Sequence, residues 1–333
     1  MILGYVEPSG EAPGLARLEV EGAAAALGGR PVVSSIEGVF AVEVPDTLDL
    51  LRLAGRLALA WRTLVEVPGA PGAESAAEAE GAAGASAAFR RLGRPGGTAD
   101  GLLRALGAAY VRGGGRIDLT APQRRYWIAA SGQAPGDRLL REVAAVDRAS
   151  FAGRAMPRLP FRRPVSLAPR LARAAVNLAA VRAGDAVLDP FLGTGALLGE
   201  AALLGARVYG IDVDAAMVRG ALRNLEHVGV RAEGVAQGDA RTVEPAEAPR
   251  RLDALVTDPP YGRSSASVGG TPATVVRETL ARWSARVRPG GRVVVVTPDR
   301  RSVLPVPWRE AGSASVRVHR SLSREFRVYW RDD

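Results

Sequence analysis

The stretch Asp258-Pro259-Pro260-Tyr261 ends an apolar run and combines a carboxylate, two prolines and an aromatic ring. This combination suits methyl transfer to an exocyclic amine on a planar base. The lone pair of such an amine is delocalised into the ring, so acceptors that take its two N–H bonds favour a pyramidal, more nucleophilic nitrogen. The Asp258 carboxylate and the Pro259 carbonyl are such acceptors. These four residues are therefore the candidate catalytic group.

The two prolines also restrict the backbone of this stretch. Proline fixes φ near about −65° and restrains the residue before it, so Asp258–Pro260 is a pre-set loop. A stiff loop holds its acceptors in place during a reaction, and Tyr261 could stack on the base. The end of a strand followed by a proline turn would contain the same residues for purely structural reasons, so the rest of the chain must decide.

Upstream, carboxylates follow three predicted strands, and a glycine-containing turn follows the first. Gly193 and Gly195 allow a tight turn and a close approach of backbone to ligand. Asp212 could accept from ribose hydroxyls and Asp239 from an adenine amino group, which predicts an adenosine-containing ligand at the strand ends. The candidate cofactor contacts are Asp189, Pro190, Phe191, Gly193, Thr194, Gly195, Asp212, Val213, Asp239, Ala240 and Asp258.

Two cofactors share this pattern, NAD and S-adenosylmethionine. Gly193, Gly195 and Gly199 form G-x-G-x-x-x-G, one residue longer than the dinucleotide fingerprint. Carboxylates at Asp189 and Asp258 suit a cationic donor. The pattern therefore favours S-adenosylmethionine over NAD. A loop that only turns a strand into a helix would not need the acids that follow the later strands.

The elements that must position these residues alternate between strand and helix from Ser166 onward, which predicts a doubly wound parallel sheet. Ser166 is predicted to cap a helix that ends at Val181, and Asp214 to cap one with Leu222 on its inward face. The predicted strands are 186–189, 208–212, 232–236, 252–257 and 292–297, followed by a terminal hairpin of 315–318 and 326–330.

The first 165 residues are less regular. Residues 1–50 contain short apolar runs and a helix-like segment, which predicts a small α+β unit. Within residues 51–130, the segment 68–88 is rich in Ala, Gly and Glu, and it is predicted to be a loop. Residues 131–165 are rich in proline and arginine and are predicted to be a linker.

The net charge is +9, and the basic side chains are all arginines. A GC-rich genome explains that choice, so the distribution of charge is more informative than its sum. No acidic residue occurs from Arg148 to Gly184, whereas eight arginines do. This stretch fits either a phosphate-rich partner or a solvated linker with a polar helix face.

Several classes of protein are disfavoured. Cysteine is absent, and the two histidines, His227 and His319, are far apart, which argues against a zinc site and a Ser-His-Asp triad. No apolar run approaches the ~20 residues of a transmembrane helix, and the N-terminus lacks the pattern of a signal peptide. We expect a cytoplasmic monomer that needs no metal.

Residues 148–262 resemble the THUMP-containing tRNA guanine-N2 methyltransferases of the archaeal type. The matching stretches are 154–169, 171–180, 189–195, 210–214, 224–225 and 258–263. The resemblance implies a Rossmann-like methyltransferase domain over 166–333 with an antiparallel last strand. It also implies catalysis around Asp258 and methylation of guanine-10 in tRNA, once or twice. This family usually has cysteine where Leu192 stands.

The resemblance is weaker upstream, where Asp100–Ala130 resembles the end of a THUMP domain. It implies a ferredoxin-like module over 1–50 and a THUMP domain over 51–130 that grips the acceptor end of tRNA. Three alternatives stay open: a DNA amino-methyltransferase acting on adenine N6 or cytosine N4, a guanine-N2 methyltransferase acting at another tRNA or rRNA position, and an RNA-binding protein with an inactive methyltransferase fold.

Overall fold

The computed structural model describes residues 1–68, 72–92, 99–129, 137–164, 166–260, 271–298, 308–319 and 322–330. The chain divides into two compact units. The first unit comprises residues 1–8, 28–55 and 60–146, and the second comprises residues 9–27, 56–59 and 147–333. Among the residues described, no helix is long and apolar enough to cross a bilayer.

The first 145 residues contain eight strands and four helices among the residues described. In chain order they are β1 (Ile2–Pro8), α1 (Pro13–Ala26), β2 (Arg30–Val32), β3 (Phe40–Val44), α2 (Thr47–Arg56), β4 (Ala60–Glu66), α3 (Ala73–Gly81), β5 (Ser86–Arg91), α4 (Ala99–Arg112), β6 (Arg116–Ile117), β7 (Arg124–Ala129) and β8 (Arg138–Ala145).

One eight-stranded sheet, in the order β2-β3-β1-β4-β8-β7-β5-β6, forms the first unit. Two predicted limits are wrong. The boundary at residue 50 falls inside α2, and the predicted linker contains β8, which pairs with β4 and β7. The sequence concealed β8 because its arginines and its glutamate alternate irregularly with apolar residues.

The predicted loop over 68–88 is also corrected, because it contains α3 and the first half of β5. Ala73, Ala76 and Ala77 are buried in a core with Tyr110 and Tyr126. Their small side chains let the helix approach closely. At Gly81 an added Cβ would lie 2.1 Å from the Tyr110 carbonyl oxygen, so no larger residue fits there. A composition typical of loops thus reflects tight helix packing.

From Pro169 to Thr297 the described residues mostly alternate between helices and strands, and a hairpin follows. The elements after β8 are α5 (Ser150–Gly153), a 3-10 turn (Met156–Arg158), α6 (Pro169–Leu178), β9 (Ala186–Asp189), α7 (Ala196–Leu203), β10 (Arg207–Asp212), α8 (Ala215–His227), β11 (Gly234–Gln237), β12 (Leu252–Thr257), α9 (Pro272–Ser284), β13 (Val287–Thr297), β14 (Arg309–His319) and β15 (Leu322–Trp330).

The second unit is built on a seven-stranded sheet in the order β11-β10-β9-β12-β13-β15-β14. The pairs among β9 to β13 are parallel, whereas β15 runs antiparallel to β13 and pairs with β14. The doubly wound sheet, its antiparallel last strand and the terminal hairpin are therefore confirmed. Because β9, β10, β11 and β12 are parallel, the residues that follow them meet at one edge of the sheet.

The core of this unit supports that edge. Trp283 of α9 is fully buried with Leu188, Ile211 and Leu255. Its indole Nε1–H donates to the Ala240 carbonyl at 2.8 Å, which ties α9 to the turn after β11. Burial of a large aromatic ring with its polar atom satisfied stabilises both the sheet and this turn.

Helix α1 lies in the second unit, not in the N-terminal module that the sequence predicted. The buried Glu19 carboxylate accepts from the backbone N–H groups of Ala58 and Leu59 and from the Asn177 amide. Burial raises the pKa of Glu19 to about 7. Close contact of α1 with Asn177 depends on Gly22, where a Cβ would lie 2.1 Å from the Asn177 carbonyl oxygen.

Two helix starts test the capping predictions. Asp214 caps α8 as predicted, since its carboxylate accepts from the Ala216 N–H at 2.7 Å. Ser166 caps nothing: α6 begins at Pro169, after Ala168, without a side-chain cap. Leu222, predicted to face inward, is 43% exposed.

Candidate active site

The residues that follow β9 to β12 surround one cavity of about 340 Å³. Twelve of the candidate residues line it: Asp189, Pro190, Phe191, Gly193, Thr194, Asp212, Val213, Asp239, Ala240, Asp258, Pro259 and Pro260. Gly195 is not among the lining residues, and Tyr261 lies outside the described residues. The structure thus brings together nearly the whole predicted set, from four separate strand ends.

The sequence missed a further part of the lining. Ser166, Leu167, Asp214, Met217 and Val275 also face this cavity. They come from the segment before α6, from α8 and from α9. The strand-end pattern gave no signal for them, since helix starts approach a cavity only through the packing of the helices on the sheet.

Asp189, at the end of β9, is almost fully buried and stabilises the turn that follows it. Its Oδ1 accepts from the Thr257 hydroxyl at 2.7 Å and from the Phe191 N–H at 3.0 Å. Gly193 and Gly195 have φ of 52° and 81°, where glycine is favoured. Burial raises the pKa of Asp189 to about 7, helped by the negative charges of Asp258 and Asp212.

Asp212, the last residue of β10, connects the turn after β9 with the turn after β10. Its Oδ2 accepts from the Gly193 N–H at 2.8 Å, and its Oδ1 accepts from the Asp214 N–H at 2.9 Å. A carboxylate has about four acceptor sites, so Asp212 can still receive a hydroxyl from a ligand. Burial raises the pKa of Asp212, and the backbone N–H groups of Asp214, Gly193 and Val213 oppose that rise.

Asp239 has a different environment. Both of its carboxylate oxygens accept from Arg241, with 3.1 Å from Nε to Oδ1 and 2.7 Å from Nη2 to Oδ2. Arg241 also pairs with Glu278 of α9 at 3.0 Å. The hydrogen bonds from Arg241 lower the pKa of Asp239. The predicted adenine acceptor is therefore a fixed, ionised carboxylate at the rim of the cavity.

Asp258, after β12, pairs through Oδ2 with the Arg324 guanidinium. Arg324 belongs to β15 and is buried. The other oxygen, Oδ1, is buried without a hydrogen-bond partner within the described part of the chain. Burial raises the pKa of Asp258 to about 6, and Arg324 opposes that rise. One acceptor is thus anchored while the second stays open.

The sequence did not predict Arg324, which is 66 residues from Asp258. The antiparallel direction of β15 explains the contact: Glu325 pairs with Thr297, the last residue of β13, so the beginning of β15 reaches the edge where the parallel strands end. The one feature of the sequence that could have indicated this contact is an arginine near the start of a buried terminal strand.

The sheet order, the antiparallel β15 and a cavity lined at the ends of the parallel strands define an α/β methyltransferase. A family model described as an RMKL-like methyltransferase domain matches residues 158–320. TrmN from Thermus thermophilus has a similar fold over 99% of both chains, with a TM-score of 0.50 and 23% identity.

Curated relatives narrow the class. The tRNA (guanine(10)-N2)-dimethyltransferase of Methanothermobacter thermautotrophicus is 37% identical over 68% of this chain and 67% of its own length. That of Pyrococcus abyssi is 35% identical over 68% of each. The chain belongs to the tRNA (guanine(10)-N2)-dimethyltransferase family.

Proposed function

We propose that this protein transfers methyl groups from S-adenosylmethionine to N2 of a guanine in tRNA, at position 10. Membership of the family supports the substrate, since its relatives carry that activity in their names. The geometry at Asp258 supports the chemistry. A second methylation at the same nitrogen is supported by the names of the relatives alone. A tRNA substrate would place the activity in the cytoplasm.

The cavity fits the proposed cofactor. Asp212 keeps acceptor capacity for a ribose hydroxyl, and the turn at Gly193 lets the backbone approach a ligand closely. Phe191 and Met217 supply apolar surface. The Ser166 hydroxyl is buried without a hydrogen-bond partner among the residues described, and it lines the same cavity. When bound, S-adenosylmethionine would supply an electrophilic methyl group on a sulfonium.

The open Oδ1 of Asp258 is the observation that carries the proposal. A buried acceptor without a partner costs about 1–3 kcal/mol, so a ligand donor is favoured there. The N2 amine would donate one N–H to Oδ1 and the other to the Pro259 carbonyl. Both acceptors draw the nitrogen away from planarity and direct its lone pair at the methyl donor.

The pKa of Asp258 also suits removal of a proton. With a pKa of about 6, the carboxylate is mainly ionised at neutral pH, yet it binds a proton more strongly than an ordinary aspartate. Asp258 would take the proton that the methylated nitrogen must lose. Arg324 would act as a positioning residue, since it holds Oδ2 and leaves Oδ1 facing the amine.

The substrate base must leave its stack to reach this cavity, which costs a few kcal/mol. RNA contacts elsewhere must offset that cost. We propose that the first unit contributes some of them, on the basis of the resemblance of residues 51–130 to a THUMP domain.

The test is an unmodified tRNA transcript incubated with radiolabelled S-adenosylmethionine, followed by nucleoside analysis. We expect label in N2-methylguanosine and N2,N2-dimethylguanosine. Label on adenine alone would overturn the guanine assignment, and preferential labelling of duplex DNA in competition would identify a DNA amino-methyltransferase instead.

A further inference from the structure

The eight arginines of the acid-free stretch from Arg148 to Gly184 fall into two groups in the structure. The first group is bound within the protein: Arg148 and Arg170 pair with Glu11, Arg154 and Arg173 pair with Glu200, and Arg182 donates to the Ala25 carbonyl. These side chains stabilise the second unit and have little freedom to bind a partner.

The second group consists of Arg158, Arg162 and Arg163. All three are exposed, and none pairs with a carboxylate in the described part of the chain. Arg163 lies over the Phe161 ring, with 4.6 Å from its guanidinium carbon to the ring centroid. Three exposed cations without counter-charges repel one another, so an anionic partner would stabilise this arrangement.

The segment that carries them is anchored to α8, so it is not a loose linker. Asn224 accepts from the Phe161 N–H and donates to the Phe161 carbonyl, both at 3.0 Å, and donates also to the Thr194 carbonyl at 3.0 Å. The Phe161 ring packs on Gly220, where a Cβ would lie 2.1 Å from it. The backbone N–H and carbonyl of Phe161 are both held by Asn224, so the segment has a fixed position on α8.

Helix α8 adds two arginines beside these anchors. Arg219 precedes Gly220 and Arg223 precedes Asn224, and both side chains are exposed. They are four residues apart and therefore share one face of the helix. Among the described residues, neither Arg219 nor Arg223 forms an ion pair, even with the exposed Glu226 of the same helix. We call Arg158, Arg162, Arg163, Arg219 and Arg223 the arginine cluster.

Two members of the arginine cluster are close in sequence to residues that line the cavity. Arg163 is three residues before Ser166, and Arg219 is two residues after Met217, and both Ser166 and Met217 line the cavity. Since an extended chain advances at most about 3.6 Å per residue, the Cα of Arg163 lies within roughly 11 Å of that of Ser166. A phosphate bound by Arg163 would therefore lie near the segment that contributes Ser166 to the cavity.

We propose that the arginine cluster binds the phosphate backbone of the RNA next to the nucleotide that enters the cavity. This inference rests on the proposed function and adds a surface to it. Guanidinium groups bind phosphate oxygens in a bidentate manner, and an anchored segment loses less conformational entropy on binding than a mobile one. Contacts beside the target would help to offset the cost of extracting the base.

The test compares charge-removing variants with a control of the same charge. The variants are Arg162→Gln/Arg163→Gln and Arg219→Gln/Arg223→Gln. The control is Arg250→Gln/Arg251→Gln, because these two arginines are exposed and precede β12, at the opposite end of the parallel strands from the cavity. Thermal unfolding checks that each variant keeps its fold.

The measurement is tRNA affinity as a function of salt, together with methylation kinetics. Loss of two phosphate contacts lowers the slope of log affinity against log salt by about 1.4 to 1.8. We expect that change and an approximately tenfold higher KM for tRNA in both cluster variants, with kcat at saturating tRNA unchanged. Arg162→Lys/Arg163→Lys keeps the charge and should keep the slope.

Equal slopes in the cluster variants and the control would overturn the proposal. That result differs from failure of the proposed function, because the wild-type protein would still methylate tRNA. If the wild type methylated no tRNA, the proposed function would be overturned. If, in addition, the salt slope of its tRNA affinity matched that of both cluster variants, the proposed role of the arginine cluster would be overturned as well.

Discussion

Asp258 and Asp239 are two carboxylates of the same cavity, each paired with an arginine, and their environments are opposite. Asp258 is held through one oxygen by the buried Arg324, and its pKa is raised to about 6 by burial. Asp239 is held through both oxygens by Arg241, and its pKa is lowered by those hydrogen bonds.

The difference shows how one residue type performs two tasks in a single site. Burial and a free oxygen prepare Asp258 to accept an N–H and then a proton, as expected of a reacting group. A doubly held and partly exposed carboxylate, such as Asp239, keeps its charge and its position but changes little during a reaction. We therefore expect changes at Asp258 to affect kcat, and changes at Asp239 to affect cofactor binding.

The largest effect is expected for Asp258→Asn. The substitution preserves the shape of the side chain but removes the charged acceptor and the proton acceptor. By analogy with loss of one preorganised group in other active sites, kcat should fall by roughly 10²–10³-fold, while tRNA affinity stays near wild type. Single-turnover methylation together with binding measurements checks this. Turnover within threefold of wild type would remove Asp258 from the mechanism.

The second effect concerns the pH dependence of kcat. In the wild type, kcat should fall as the pH drops through about 6, because protonated Asp258 loses its free acceptor. Arg324→Met removes the cation that lowers this pKa, so the acidic limb should move up by about 1 to 3 units. Activity at pH 7 should then fall and recover in part at pH 9.

Arg324→Lys is the matched control, because it keeps a positive charge at this position. Its acidic limb should stay near that of the wild type. If Arg324→Met lowered activity equally at every pH, the arginine would contribute to structure and not to the protonation state of Asp258.

A smaller effect is expected at the other end of the cavity. Arg241→Gln removes the guanidinium group that orients Asp239. The loss is equivalent to about one hydrogen bond, so KM for S-adenosylmethionine should rise about 2- to 10-fold. The value of kcat should not change, since this end is away from the reacting atoms. A fall in kcat without a change in KM would contradict the division between the two carboxylates.

The strand-end carboxylates and the glycine turn were predictable from sequence because parallel strands deliver their following residues to one edge. The buried apolar strands of the second unit were likewise readable, with β9 and β12 predicted at their observed bounds. What could be predicted was therefore the part of the site that depends on local pattern.

The remainder depends on contacts distant in sequence. Arg324 meets Asp258 only because β15 is antiparallel, and α1 joins the second unit through Glu19 and Asn177. Neither contact has a local signature. Helix α3 was concealed because its alanines serve close packing, a property that composition alone does not reveal.

The central claim is that the exocyclic amine of one guanine is placed at Asp258. The most direct measurement compares two ligated tRNAs that differ only at position 10, one with guanosine and the other with inosine, which lacks the N2 amine. We predict methyl incorporation into the guanosine tRNA, located at position 10 by mass spectrometry of fragments, and none into the inosine tRNA. Equal incorporation into both tRNAs would contradict the claim.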